Sequence, residues 1–197
     1  SGTVRTNGGA GGSGSYCQGG GGAGGRIAVS ANGFGSVVFQ AQGGPSNSQR
    51  GGAGTVYFDD LGTGTTTLQL GNGGVAGAAS THDAGDLILD ALQCTAGADF
   101  DVDTTLTVGS VQVSDAAGLQ LQAATITNLL VSDASTLVAD DTLTVGTLTV
   151  ELASNVTHSP GDADFLIDAS GDVSLDDSSS MTADGLGFSA ESGPGAG

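Results

Sequence analysis

Two aspartates occupy matched places in a stretch of sequence that this chain repeats. Asp115 lies in TLTVGSVQVSDAA at 105–117, and Asp133 holds the same place in ATITNLLVSDAS at 124–135. Two ionised carboxylates held close together repel each other unless a cation, a hydrogen-bond donor or a raised pKa intervenes. Calcium meets that need with oxygen ligands. The sequence therefore predicts a calcium site at Asp115 and Asp133.

A second group of acidic residues lies in DFDVD at 99–103. Alternate residues of a strand share a face, so we expect Asp101 and Asp103 to project together, and we count both as candidate calcium ligands. The chain has neither an EF-hand loop nor the GGxGxDxU nonapeptide of calcium-binding β-rolls. The alternative is that all four aspartates are solvated turn and edge residues that keep the surface soluble.

Acidic residues that are adjacent in sequence do not predict an active site. Three such pairs occur: Asp59 with Asp60, Asp140 with Asp141, and Asp176 with Asp177. Neighbours on a strand point to opposite faces, whereas glycoside hydrolysis needs two carboxyl groups converging across one bond, about 5 to 10 Å apart. Eliminative cleavage needs a basic group, and no Lys or Arg follows Arg50.

The remaining nucleophilic and metal-binding side chains are isolated. His82 and His158 have no Ser or Cys constellation near them, and we expect both at the surface. Cys17 and Cys94 are the only cysteines. They form a disulfide if the protein is extracellular; otherwise Cys94 is a small buried hydrophobe and Cys17 a loop thiol. The sequence predicts that the chain is not an enzyme.

The elements that must carry these residues are short strands. Apolar residues between 100 and 150 fall in i, i+2 pairs: Phe100/Val102, Leu106/Val108, Val111/Val113, Leu119/Leu121, Ala124/Ile126, Leu129/Val131, Leu137/Ala139, Leu143/Val145 and Leu148/Val150. Alternation of this kind indicates a strand with one buried face. Three pairs make one unit, and the parity shifts at Gly109, Asn128 and Gly146 predict corners between strands.

Such a unit cannot bury its inward residues alone, but stacked copies bury them in one column. The sequence therefore predicts an all-β, single-domain, right-handed parallel β-helix with three short strands in each rung of roughly 18 to 20 residues. We expect glycine-rich rungs with long loops over 1–85, regular rungs over 86–160, and acidic rungs with a glycine-rich tail over 161–197. The long glycine-rich loops should protrude or fold tightly along one edge.

Composition and charge exclude several partners. The 197 residues include 37 glycines, 21 acidic residues and three Arg, for a net charge of −18. Phosphate binding needs clustered Lys and Arg, and a strong negative field opposes approach, so neither nucleic acid nor an anionic membrane is expected. No apolar run is long enough to span a bilayer.

Three segments of the sequence are similar to a known type of repeat: GGGGAGGRIAV at 19–29, GGAGTVYFD at 51–59 and MTADGLGFSAESGPGAG at 181–197. They resemble the glycine-rich parallel β-helix repeats of large secreted or surface proteins of bacteria, which are regarded as adhesin-like or structural. The resemblance implies an extracellular or cell-surface location and a chain that begins and ends as if within a longer array. It supplies no catalytic residue.

Together these observations predict a structural module of an extracellular fibre, sheath or adhesin stalk that assembles by end-to-end stacking of rungs. The partner would be another copy of the chain or the continuation of a longer polypeptide. The alternative is a carbohydrate- or surface-binding adhesion domain, in which the glycine-rich loops contact a polysaccharide or cell surface. A polysaccharide-degrading β-helix enzyme is the least favoured of the three.

Overall fold

The computed structural model describes residues 2–14, 19–160 and 166–183, and these are all-β, with no helix among them. The strands are β1 (Thr3–Arg5), β2 (Arg26–Ala31), β3 (Val38–Gln40), β4 (Thr55–Asp60), β5 (Thr65–Gly71), β6 (Ser80–His82), β7 (Leu87–Thr95), β8 (Asp99–Val113), β9 (Gly118–Val131), β10 (Thr136–Ala139), β11 (Leu143–Val150), β12 (Asn155–Thr157), β13 (Ile167–Ala169), β14 (Val173–Leu175) and β15 (Ser180–Met181). All but β1 and β3 belong to one mixed sheet.

Successive repeats pair in parallel and in register, in three columns of strands. In the first column Phe100 pairs with Leu119, and Leu119 pairs with Leu137. The second column runs from the start of β7 through the middle of β8 and β9 and the start of β11 to β13. The third runs from β5 through β7, β8, β9 and β11 to β14. Over residues 99–150, successive repeats of the sequence therefore pair in parallel, with one register shift between Val102 and Thr105.

The buried core follows the predicted alternation. The inward side chains of all three columns belong to one apolar cluster, in which Leu106, Leu137 and Leu148 are fully buried. Every residue of the nine apolar pairs between 100 and 150 is buried, whereas the residues between them are mostly exposed or half-buried. We call residues 87–157, from β7 to β12, the regular stack.

In the regular stack, the chain leaves the third column of one unit and enters the first column of the next unit through a corner. We call it a left-handed corner because its backbone is in the left-handed region. Two consecutive residues adopt positive φ there: Asp115 and Ala116, Asp133 and Ala134, and Leu152 and Ala153, all with φ between 57° and 62°. The corners are stacked by hydrogen bonds, because the amides of Ala116 and Ala134 donate to a carbonyl of the next corner, and the amide of Ala153 donates to Ser178 Oγ. One example is Ala116 N to Asp133 O, at 2.8 Å.

The glycine-rich region folds tightly and does not protrude, so of the two expected arrangements the structure has the second. Four extended segments, 6–12, 19–25, 41–45 and 49–54, lie side by side and are joined by backbone hydrogen bonds. We call them the glycine segments. The amides of Gly19, Gly22 and Gly25 donate to the carbonyls of Gly12, Gly9 and Thr6, so the bonds advance by three residues. That is the period of a polyproline II helix, and it differs from the period of two in a strand.

Glycine is required where these segments touch. A Cβ on Gly51 would overlap the carbonyl oxygen of Gly22, and one on Gly54 would overlap that of Gly25. Gly9 and Gly12 instead face open space. The close contacts recur three residues apart, as the hydrogen bonds do. The repeated glycines therefore bring backbone directly against backbone.

One strand pair departs from the all-parallel expectation. β4 and β5 are antiparallel, with Tyr57 opposite Leu68. Between them the Gly62 amide donates to Asp60 Oδ1 at 2.9 Å, and Gly64 has φ of 70°. These are turn-forming residues, and they make DLGTG a hairpin where the sequence had indicated a loop to a parallel strand. Leu68 and Leu70 nevertheless reach the main core.

Candidate functional site

The first two predicted calcium ligands lie on the stacked corners. Asp115 and Asp133 are exposed and occupy the same corner position in consecutive units, but Ala96 and Leu152 hold that position in the units on either side. Ser132 Oγ donates to Asp133 Oδ2 at 3.1 Å. The carboxylate ladder is thus two residues long, whereas calcium takes six to eight oxygen ligands. Calcium binding here stays a prediction.

Asp101 and Asp103 lie on the outward face of the first column. The pKa of Asp101 is raised above its ordinary value, first by partial burial and then by the negative charges of Asp99, Asp103 and Asp140. The structure therefore brings Asp101 and Asp103 together with two further acids, but not with Asp115 or Asp133. Among the described residues there is no group of three or more His, Cys, Asp or Glu side chains placed to hold a metal ion.

These acids border a groove of about 550 Å³ on the first column, lined in part by Asp99, Asp101 and Gln120. Asp140 beside it is held in place, since Gln120 Nε2 donates to its Oδ2 at 2.6 Å and the Ser159 amide to its Oδ1 at 3.1 Å. The described lining of this groove includes no cationic side chain.

A second groove on the same side of the molecule has the opposite chemistry. It measures about 390 Å³ and is lined by Arg26, Arg50, Ser80 and Phe100, with backbone of the glycine segments around them. Its described lining includes no carboxylate. Ala79 borders both grooves. Nothing in the spacing of Arg26 and Arg50 along the chain indicated that they would meet.

Three phenylalanines form a half-buried cluster that sequence reasoning also missed. The ring centroids of Phe34 and Phe58 are 4.8 Å apart and those of Phe39 and Phe58 are 5.2 Å apart, all with edge-on geometry. They line a groove of about 480 Å³ together with Gln69 and Gln93. The available signal was that these three rings fall within 25 residues of a chain that has only six Phe.

The Cys94 side chain lies at the centre of the core, with no exposed surface. Its Sγ donates to the Gly118 carbonyl at 3.2 Å, and burial, followed by the charge of Asp99, raises its pKa to about 12. Cys17 lies outside the described residues, so its pairing with Cys94 stays a prediction. A buried, protonated thiol is a weak nucleophile.

The two histidines, His82 and His158, lie in different environments. His82 Nε2 lies 3.0 Å from the Gly85 carbonyl on the exposed edge of the fold. His158 was expected at the surface and is buried instead. The expectation was wrong because the alternation of β12 continues beyond its end and turns this side chain away from solvent.

Buried polar side chains that sequence reasoning passed over hold the backbone together. The amides of Ala117, Ser135 and Ser154 donate to the hydroxyls of Ser135, Ser154 and Ser179, each at 3.2 Å, which makes a ladder of serines along the stack. Asn72, with no exposed surface, accepts from the Gly43 amide at 2.7 Å and donates to the Gly51 carbonyl at 3.2 Å. Asn72 thereby ties two glycine segments to the end of β5.

At the C-terminal end of the described stack, inward side chains of the last unit are partly exposed. Leu148 and Val150 on β11 have no exposed surface, but their register partners Val173 and Leu175 on β14 are 50% and 47% exposed. Among the described residues β14 pairs only with β11. Within the part of the chain that the structure describes, the inward face of this last unit is therefore half exposed.

Comparisons with protein-family models, with curated proteins and with solved structures return no match to this chain. Over the described ranges, none of the structure is a helix of the length and apolarity that crossing a membrane requires.

Proposed function

We propose that the chain is a parallel β-helix that serves as a structural module of an extracellular fibre, sheath or stalk. Three columns of parallel pairs with a constant unit order, and one core cluster shared by all three, support this architecture. Stacked units of this kind form stiff rods because hydrogen bonds run along the axis in every column.

The open last unit is the observation that carries the proposal. Each unit covers its inward side chains with those of its neighbours, and Val173 and Leu175 are half exposed because no further unit among the described residues covers them. The edge strands β13, β14 and β15 also leave backbone groups available for pairing. This end is suited to receive another layer of strands.

We assign that layer to a second copy of the chain, contacting through its N-terminal part. The three Arg lie in the first 50 residues, while Asp168, Asp172, Asp176 and Asp177 lie in the last described unit. This charge difference favours head-to-tail contact over contact between like ends. A head-to-tail interface that does not close into a ring generates a filament.

The test is assembly measured by sedimentation velocity and negative-stain imaging over a wide range of protein concentration. We expect concentration-dependent rods for the unaltered chain and monomers for the double variant Val173→Asp, Leu175→Asp. Ile88→Asp is the matched control, since Ile88 is 73% exposed on the flank of the second column, and it should assemble normally. An unaltered chain that stays monomeric at high concentration, with no fibres, would refute the proposal.

The phenylalanine cluster favours a second function, a carbohydrate- or surface-binding adhesion domain. Aromatic rings beside amide side chains are a common composition of ligand grooves, and Phe34, Phe39 and Phe58 share theirs with Gln69 and Gln93. A glycan array would test it. Phe34→Ala should lose glycan binding while rod formation is kept, whereas equal binding by both proteins would count against an adhesive role.

A further inference from the structure

Two of the three cationic side chains of a strongly acidic protein meet in one groove. The chain has 21 acidic residues against three Arg and no Lys. Arg26 and Arg50 nevertheless lie far apart in sequence and line the same cavity of about 390 Å³, whose described lining has no carboxylate. Positive charge is therefore concentrated here without an acidic partner.

One donor of Arg50 is unused. Its Nε is shielded from solvent, and among the described residues it has no hydrogen-bond partner. A guanidinium is always charged, and burying one of its N–H groups without an acceptor is unfavourable. The two terminal nitrogens of a guanidinium form a fixed fork, and the group that best matches this fork is a planar or tetrahedral oxyanion bound through two oxygens.

The walls of the groove leave room for such a ligand. Gly20, Gly21, Gly24, Gly51 and Gly52 contribute backbone without side chains, so a ligand can approach the main chain closely. Thr81 adds an exposed hydroxyl at the rim. Ser80 Oγ is already engaged, because it donates to the Ala53 carbonyl.

We propose that the Arg26–Arg50 groove is an oxyanion-binding site that takes a carboxylate, sulfate or phosphate group, with Arg50 as the bidentate donor and Arg26 as the second positive charge. The site lies in the N-terminal part of the chain, whose Arg residues the proposed head-to-tail contact also uses. Binding is therefore measured at protein concentrations at which the chain is monomeric.

The small number of Arg makes a direct test feasible. Three Arg give at most three side-chain Nε–H signals in a nitrogen-15 NMR spectrum. We would titrate the protein with sodium sulfate, sodium phosphate and sodium glucuronate, using sodium chloride to hold the ionic strength constant. The expected result is saturable shifts of the Arg50 and Arg26 signals with an unmoved Arg5 signal.

The three ligands separate the sources of the oxyanion. Tighter binding of glucuronate than of both inorganic ions supports a site for an acidic sugar, and tighter binding of sulfate or phosphate supports a site for those groups. Shifts that do not saturate, or that are equal for all three Arg, show only non-specific charge screening and would overturn the proposal.

Variants give a second, independent measure. Arg50→Gln should weaken binding of the preferred anion by about tenfold or more, and Arg50→Lys should weaken it also because an ammonium lacks the fork. Arg5→Gln is the matched control, since Arg5 is exposed on β1 and does not line the groove. If an Arg50 variant fails to fold, Arg26→Gln at an exposed position serves in its place. Unchanged affinity in every folded variant would reject the site.

Discussion

The regular stack and the glycine segments hold the chain together with different parts of the same polypeptide. In the regular stack, side chains such as Leu106, Leu121 and Leu129 fill the interior, and almost none of their surface is exposed. In the glycine segments no side chain separates neighbours at the close contacts, and backbone hydrogen bonds advance by three residues. One region is stabilised mainly by apolar burial, and the other by hydrogen bonding and close backbone packing.

The difference predicts how each region responds to change. A side-chain core adjusts in part to a lost or added methyl group. Backbone packed directly on backbone has no such freedom, since even one added carbon would overlap a carbonyl oxygen. The glycine segments also have few buried apolar contacts, and such regions unfold locally at a lower free-energy cost. The glycine segments should therefore be both less tolerant of substitution and less protected than the regular stack.

The largest effect is expected from breaking the regular stack. Leu106→Ala removes a fully buried side chain from the second column, and we expect a loss of about 2–5 kcal/mol in the free energy of unfolding. Chemical denaturation followed by circular dichroism measures it. Ile88→Ala, at a 73% exposed position of the adjacent strand, should change stability by less than about 0.5 kcal/mol. Equal effects of the two variants would mean that the shared core does not dominate stability.

A smaller effect, confined to the other region, is expected from Gly51→Ala. The new methyl group would overlap the Gly22 carbonyl, and overpacking of this kind costs about 1–3 kcal/mol. Gly12→Ala is the matched control, because its Cβ would face open space. Amide hydrogen exchange should show faster exchange in the glycine segments of Gly51→Ala and unchanged protection of β8 and β9. Uniform loss of protection along the chain would show that the two regions unfold as one.

A still smaller effect, of opposite sign, should come from the left-handed corners of the stack. Ala134 has φ of 58°, a conformation that costs a residue with a Cβ about 1–2 kcal/mol. Glycine relieves that strain but gains freedom in the unfolded chain, so Ala134→Gly should stabilise the protein by about 0.5 kcal/mol, net of the two. Ala84→Gly, at an exposed loop position without positive φ, should not stabilise it. Thermal unfolding of both variants decides between these outcomes.

Much of the regular stack could be predicted from sequence because its signal is local. The alternation of Leu106 with Val108 and the corner at Gly109 each follow from a few adjacent residues, and repetition fixed which units pair. The positive φ of Asp115 and Asp133 had no such signal, since Asp and Ala do not favour that conformation as Gly does. Gly97 occupies the same corner one unit earlier and was the available indication.

The glycine segments and the grooves could not be predicted because they depend on contacts between distant residues. Glycine leaves no alternation to follow, so the three-residue period emerged only with the hydrogen bonds between segments. The meeting of Arg26 with Arg50, and the buried amide of Asn72, likewise require the three-dimensional packing. The predicted calcium ligands divided between a corner and a face for the same reason.

The smallest expected effect concerns the last described corner, which uses polar side chains where the regular stack uses left-handed backbone. Asp176 accepts hydrogen bonds from the Ser179 side chain, from the Leu152 amide at 2.7 Å and from Ser178, and these lower its pKa to about 2. A carboxyl with a lowered pKa stabilises the fold above its unfolded pKa of about 3.9 and loses that contribution as the pH falls through its folded value.

We therefore expect protection of the Leu152 amide to fall between pH 4 and pH 2, and Asp176→Asn to remove that dependence. Hydrogen exchange at Leu152, with the carboxyl carbon shift of Asp176 followed in parallel, measures both. Asp177→Asn is the control and should keep the wild-type pH profile, because only Asp176 accepts the Leu152 amide. A Leu152 amide whose protection is independent of pH in the unaltered protein would show that the Asp176 carboxylate does not hold this corner.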